Sequence, residues 1–159
     1  EMHPSILLLL STIGIIVAEV LPSQYYGRFT HDHSANFDEY LKEKGYGLLT
    51  RKIVQLASFD KLFKKAGGNK FDYANLTNKK NVYYNGVELN KQFIGESLDS
   101  TKHKITFTLR GTKLIEKHVP TNPRGLSKAE TDEYSFEGPY LVVSMNANGV
   151  IGKRYFKRV

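Results

Sequence analysis

Cysteine is absent from this 159-residue chain. That excludes a disulfide frame, thiol catalysis and cysteine-based zinc sites. A long hydrophobic run is also missing. The apolar stretch from Ile6 to Ala18 is broken by Ser11, Thr12 and Gly14 and falls short of the roughly 20 residues a membrane span needs. Serine and histidine are present, but neither Gly-x-Ser-x-Gly nor another nucleophile context occurs. Only five histidines occur. Strand alternation would put His31 and His33 on one face, but no further histidine lies close in sequence, so no metal set is assigned. The apolar stretch ends in the small residue Ala18 and is followed by polar residues, the shape of a secretory signal peptide, although its leading segment lacks Lys and Arg. The expectation is a signal segment over 1–18, one domain over 19–159, and an extracellular location.

What the chain has is aromatic residues and positive charge. Ten Tyr and nine Phe argue against disorder. The net charge of +7 admits nucleic acid, anionic membrane or acidic ligands as partners and chooses none of them. Lysines and aromatics interleave in "KLFKK" and "KFDY", as in single-strand nucleic-acid binders. The same pattern arises more often from a strand with one wet face. Phe37, Tyr40, Leu41 and Lys44 share one helix face, with Asn36 as the expected cap, Glu39 completing a capping box and Gly45 as the stop. A second helix is predicted over 48–57, with Leu49, Ile53, Leu56 and Ala57 as its apolar stripe and Arg51 and Lys52 on its wet side. No third helical pattern follows, so a DNA-reading helical bundle is disfavoured.

The remainder reads as short strands: "GRFTH", "DKLFKKA", "KFDYANL", "NVYYNG", "HKITFTL", "TKLIEKHV", "DEYSF", "YLVVSM" and "VIGKRYFKRV". The expected fold class is all-β: nine or ten antiparallel strands that close on themselves, with two short helices after the first strand lying across one mouth. On the last strand Gly152, Arg154 and Phe156 share one face. The other face carries Lys153, Tyr155 and Lys157 and is wet, so Arg154 points inward. An inward Arg needs a partner, either a ligand or structural carbonyls and waters. Asn75-Leu76-Thr77 is a glycosylation sequon.

Residues 25–159 resemble the intracellular lipid-binding, or fatty-acid-binding, protein family. Its N-terminal signature appears as Gly27, Phe29, Asn36-Phe37-Asp38, Tyr40-Leu41, Gly45, Gly47 and Thr50-Arg51-Lys52, with His31 departing from the usual aliphatic residue. Its C-terminal Arg-x-Tyr appears as Arg154 and Phe156. The signal segment and the longer stretches at 82–94 and 119–131 resemble the secreted nematode branch. The resemblance implies a ten-stranded β-clam with a water-filled cavity and a helical portal. It also implies a monomeric, non-enzymatic carrier of long-chain fatty acids, without a cofactor, that touches anionic membranes transiently and does not bind nucleic acid. A retinoid or another small hydrophobe is the alternative cargo. In the carboxylate clamp Arg154 is kept, Phe156 lacks the family hydroxyl, and Tyr134 falls where a second Arg is usual. Phe37 and Leu41 match helix residues that meet the ligand chain. Val143 and Met145 are the expected lining of the "YLVVSM" strand, and Lys79 stands at a portal position that is usually Phe.

Overall fold

The computed structural model describes residues 17–159, so the signal-segment expectation lies outside the described residues except at Val17 and Ala18. The chain runs through β1 (Gly27–Ala35), α1 (Phe37–Glu43), α2 (Leu48–Leu56), β2 (Phe59–Lys65), β3 (Phe71–Thr77), β4 (Val82–Val87) and β5 (Phe93–Glu96). It continues through β6 (Lys102–Arg110), β7 (Lys113–Pro120), β8 (Glu130–Glu137), β9 (Tyr140–Ala147) and β10 (Val150–Arg158). All ten strands form one antiparallel sheet in the order β4-β3-β2-β1-β10-β9-β8-β7-β6-β5. The pairing of β1 with β10 rolls this meander up and leaves β4 and β5 as neighbours without a ladder. Side chains bridge that seam. The Tyr84 hydroxyl donates to the Glu96 carbonyl at 2.9 Å, and Lys80 pairs with Glu96 and donates to Ser100 Oγ at 2.7 Å.

Alternation sorts each strand into an inner and an outer face. Phe63, Phe71, Tyr73, Ile105, Phe107, Leu114, Tyr134, Leu141, Val143 and Phe156 form one continuous inner core. Because so many inward positions are aromatic, side chains fill much of the space that the family resemblance assigned to water. The end opposite the helices is closed by the segment before β1: Leu21 and Tyr25 are fully buried there.

At the other mouth, α1 buries Phe37, Tyr40 and Leu41 in a second cluster against Met145, Ala147 and Val150. Gly152 makes the close approach possible, because a Cβ there would lie 2.7 Å from that of Tyr40. Asn36 differs from its expected role. It sits at φ 52° and makes no side-chain cap bond; its amide donates instead to the Ile151 carbonyl at 2.9 Å, fixing α1 to β10. The stripe predicted for α2 is also misassigned. Leu49, Ile53 and Leu56 are 74%, 47% and 85% exposed, and α2 has no fully buried residue. At this mouth the ends of β9 and β10 pack against α1, and α2 meets the rest of the fold mainly through α1. Arg51, expected in water, donates to Asp38 Oδ1 at 2.9 Å and to the Tyr46 carbonyl at 3.0 Å.

Candidate functional site

Ladder register brings the expected site residues together. One row of directly opposed residues runs Ser34, Arg154, Val143, Tyr134, Leu114 and Leu109 across β1, β10, β9, β8, β7 and β6. The next row runs Gly152, Met145, Asp132, Glu116 and Phe107. Arg154, Val143, Tyr134 and Met145 therefore face one interior. Phe156 faces it too and is buried. Phe37 and Leu41 reach it from the lid, where Met145 packs against both hydrophobic clusters.

Arg154 is 6% exposed, and its guanidinium carbon lies 4.0 Å from the Phe59 ring centre and 4.8 Å from that of Phe37. Such cation–π contacts stabilise a desolvated cation by roughly 2 kcal/mol or more each, short of the several kcal/mol that desolvating an unpaired ion costs. No carboxylate pairs with it among the described residues. Its only hydrogen bond among the described residues is a long 3.4 Å contact to the Ala57 carbonyl, and Nε is buried without a partner there. Burial pulls its pKa down to about 10. The family hydroxyl that Phe156 lacks is not replaced by Tyr134, whose hydroxyl is engaged elsewhere. Beside the guanidinium, His31 is held neutral, its pKa lowered to about 4 by burial and then by the Arg154 charge.

A second polar group was not singled out in the sequence. Lys61 donates to the Tyr73 hydroxyl at 2.8 Å, Tyr73 and Tyr134 exchange a bond at 3.1 Å, and Tyr134 donates to Glu116. The other Glu116 oxygen meets His118 Nε2 at 2.7 Å. Burial alone would raise the Glu116 pKa, but the His118 hydrogen bond, with the charges of His118 and Lys61, brings it down to about 2. Asp132, next to Glu116 in the ladder, moves the other way, to about 7, through burial and then the Glu116 charge. Burial lowers the Lys61 pKa. A cavity of about 90 Å³ opens here, lined by Lys61, Tyr73, Asn75, Tyr84, Glu116 and Asp132 among others. It is far below the roughly 300–1,000 Å³ of a small-molecule pocket. A long hydrocarbon therefore enters only if interior side chains move.

Asn75 belongs to this interior, and its Oδ1 is buried without a partner. The two histidines placed on one face are separated by a register irregularity between them. His31 turns inward, its ring centre 5.5 Å from that of Phe156, while His33 stacks outside on Tyr155 at 4.4 Å. Among the described residues no group of three His, Cys, Asp or Glu is placed to hold a metal ion.

No family model matches the chain. Over 159 residues it is 53% identical to "Fatty acid-binding protein homolog 1" of Caenorhabditis elegans, with 99% of each chain covered. The chain belongs to the fatty-acid-binding protein family. A second family member, "Fatty acid-binding protein homolog" of Ascaris suum, is 39% identical over 158 residues, covering 94% of this chain and 96% of its own. Among solved structures of the family, "As-p18, an extracellular fatty acid binding protein" superposes with a TM-score of 0.83 at 39% identity, covering 89% of this chain and all of that one. The apo structure of Caenorhabditis elegans lipid binding protein 8 gives 0.71 at 25% identity, covering 89% of this chain and all of its own.

Proposed function

We propose that this protein is an extracellular, monomeric carrier that holds a long-chain fatty acid inside the barrel with its carboxylate on Arg154. The observation that carries this reading is a buried guanidinium with an unpartnered Nε and, among the described residues, no anionic neighbour. A carboxylate supplies the missing charge and acceptors in one step. The apolar N-terminal stretch supports secretion with removal of residues 1–18, as does the likeness to a protein described as extracellular. The lid supports transient contact with membranes. Its outward leucines lie beside the exposed Lys42 and Lys52, a combination that suits an anionic bilayer.

Displacement of a fluorescent fatty acid tests this. Burying a sixteen-carbon tail offers on the order of ten kcal/mol at about 0.8 per methylene, and loss of ligand freedom offsets several of these. Submicromolar affinity is the expected outcome. The Arg154 bond contributes roughly 1.5–3 kcal/mol, so Arg154→Gln weakens fatty-acid binding about ten- to a hundredfold and leaves a fatty alcohol nearly unaffected. Equal loss for both ligands makes Arg154 a structural hub. Loss for neither moves the carboxylate elsewhere, for example to exposed Lys79 at the portal. Steep loss of affinity with salt would favour a phosphate-binding module over a carrier.

A further inference from the structure

We propose that the barrel selects a fatty acid bearing a hydroxyl at mid-chain, its carboxylate on Arg154 and its hydroxyl between Lys61 and Asn75. This rests on the carrier reading above and names its class of cargo.

The interior holds two buried cations of different standing. Lys61 lies in a cluster that already contains an anion, because Tyr73 and Tyr134 join its ammonium to Glu116. Arg154 has no such neighbour among the described residues. A ligand carboxylate is therefore drawn to Arg154, whereas near Lys61 it would meet the Glu116 charge. The second pole suits a neutral group that both donates and accepts.

That pole is built for such a group. Lys61 and Asn75 are directly opposed across β2 and β3, and both line the cavity. The Lys61 ammonium has three protons and uses one on Tyr73. Asn75 Oδ1 is buried and accepts nothing. A hydroxyl between them accepts from the ammonium and donates to the amide, satisfying both residues. The cavity, at about 90 Å³, has room for such a group, since a water molecule occupies roughly 30 Å³. An unsubstituted chain would lay methylenes over these polar groups and leave them unpaired, which is what lets such sites reject the analogue without the oxygen.

The spacing places the oxygen within the chain. The Arg154 guanidinium stacks on Phe59, and Lys61 lies two residues further along the same strand, about 7 Å away. The second polar function thus belongs several carbons from the carboxylate, neither beside it nor at the far end.

The test compares stearic acid with hydroxystearic acid bearing its hydroxyl at mid-chain, each displacing a fluorescent fatty acid from the full chain. The hydroxy acid is expected to bind about three- to tenfold tighter. In Asn75→Leu, which matches the amide in size, that ratio falls to one or below, whatever happens to stearic acid alone. Far-ultraviolet circular dichroism and the unfolding temperature establish that the variant folds; if it does not, Asn75→Thr, smaller and neutral, takes its place and is expected to shrink the preference. Equal or weaker binding of the hydroxy acid overturns the inference and leaves the carrier reading standing, as does a preference unchanged in Asn75→Leu. Binding of neither acid overturns both.

Discussion

At the residue scale, Asp132 is the interior group whose protonation is most displaced across mildly acidic pH. Burial and the Glu116 charge raise its pKa to about 7, so the folded protein keeps a proton that the unfolded chain releases near 3.8. Stability from this group is complete below about 4 and is lost as pH rises to about 7. Glu116, lowered to about 2, has the opposite sign in a lower window: its contribution is present above 4.5 and is lost as pH falls toward 2. His31, lowered to about 4, opposes Asp132 between about 4 and 6.5. The whole-protein pH profile therefore mixes signs, and the informative quantity is a difference. Asp132→Asn should gain stability relative to the parent as pH is raised from about 4 to about 7, measured by denaturant unfolding at each pH. A difference that stays flat across that range would mean that Asp132 is ionised in the folded barrel.

At the element scale, α2 is held by polar side chains more than by packing. Val54 is the α2 residue that packs against the α1 cluster, and it is only half-buried. Asp38 on α1 accepts from Arg51 at 2.9 Å and from Gln55 at 2.7 Å. Losing both should detach α2 without unfolding the barrel. Asp38→Ala is expected to speed amide exchange over Leu48–Leu56 about tenfold or more, with the denaturant midpoint of the whole protein little changed. Unchanged exchange in α2 would mean that some other contact holds the lid. This is also where the sequence was least legible. Alternation exposed nine strands, because each buries one face and wets the other. It did not expose β5, whose four residues contain no fully buried position. The apolar stripe of α2 was real, but periodicity shows only that a stripe exists and not which surface it meets. The turn of β1 between His31 and His33 left no mark in composition. Arg154 was legible because its neighbours on the other face are charged. Glu116 and His118 share a face with Leu114 along β7, but the other face carries the apolar Ile115 and Val119 beside Lys117, so which face is inward becomes intelligible only once Lys61, Tyr73 and Tyr134 are seen to meet Glu116 across the barrel.

At the scale of the whole molecule, the two ends of the barrel are closed by different means. The helix end is loosely held and the opposite end is locked. There Tyr25 lies beneath the sheet, its ring centre 5.1 Å from Phe136 and 6.0 Å from Phe63. Its hydroxyl accepts from the Leu114 amide at 3.1 Å and donates to the Thr112 carbonyl at 2.8 Å. Arg158, at the end of β10, donates to the Gln24 carbonyl at 2.7 Å, binding the strap to the last strand. On the carrier reading proposed above, cargo exchanges through the loose end, and the locked end limits how far the N-terminus can be trimmed. Fully burying Leu21 and Tyr25 contributes about 3–6 kcal/mol on ordinary burial values, and the buried Leu114 amide would lose its acceptor as well, at about 1–3 kcal/mol. A chain beginning at Glu19 should match the longer chain in denaturant midpoint, whereas one beginning at Gly27 should lose several kcal/mol. Protein secreted by a eukaryotic host and sequenced from its N-terminus should begin near Glu19 and no later than Leu21. A mature chain starting beyond Leu21, or a Gly27 chain as stable as the Glu19 chain, would mean that the strap is dispensable and that the lower end of the barrel is closed by its inward aromatic side chains alone.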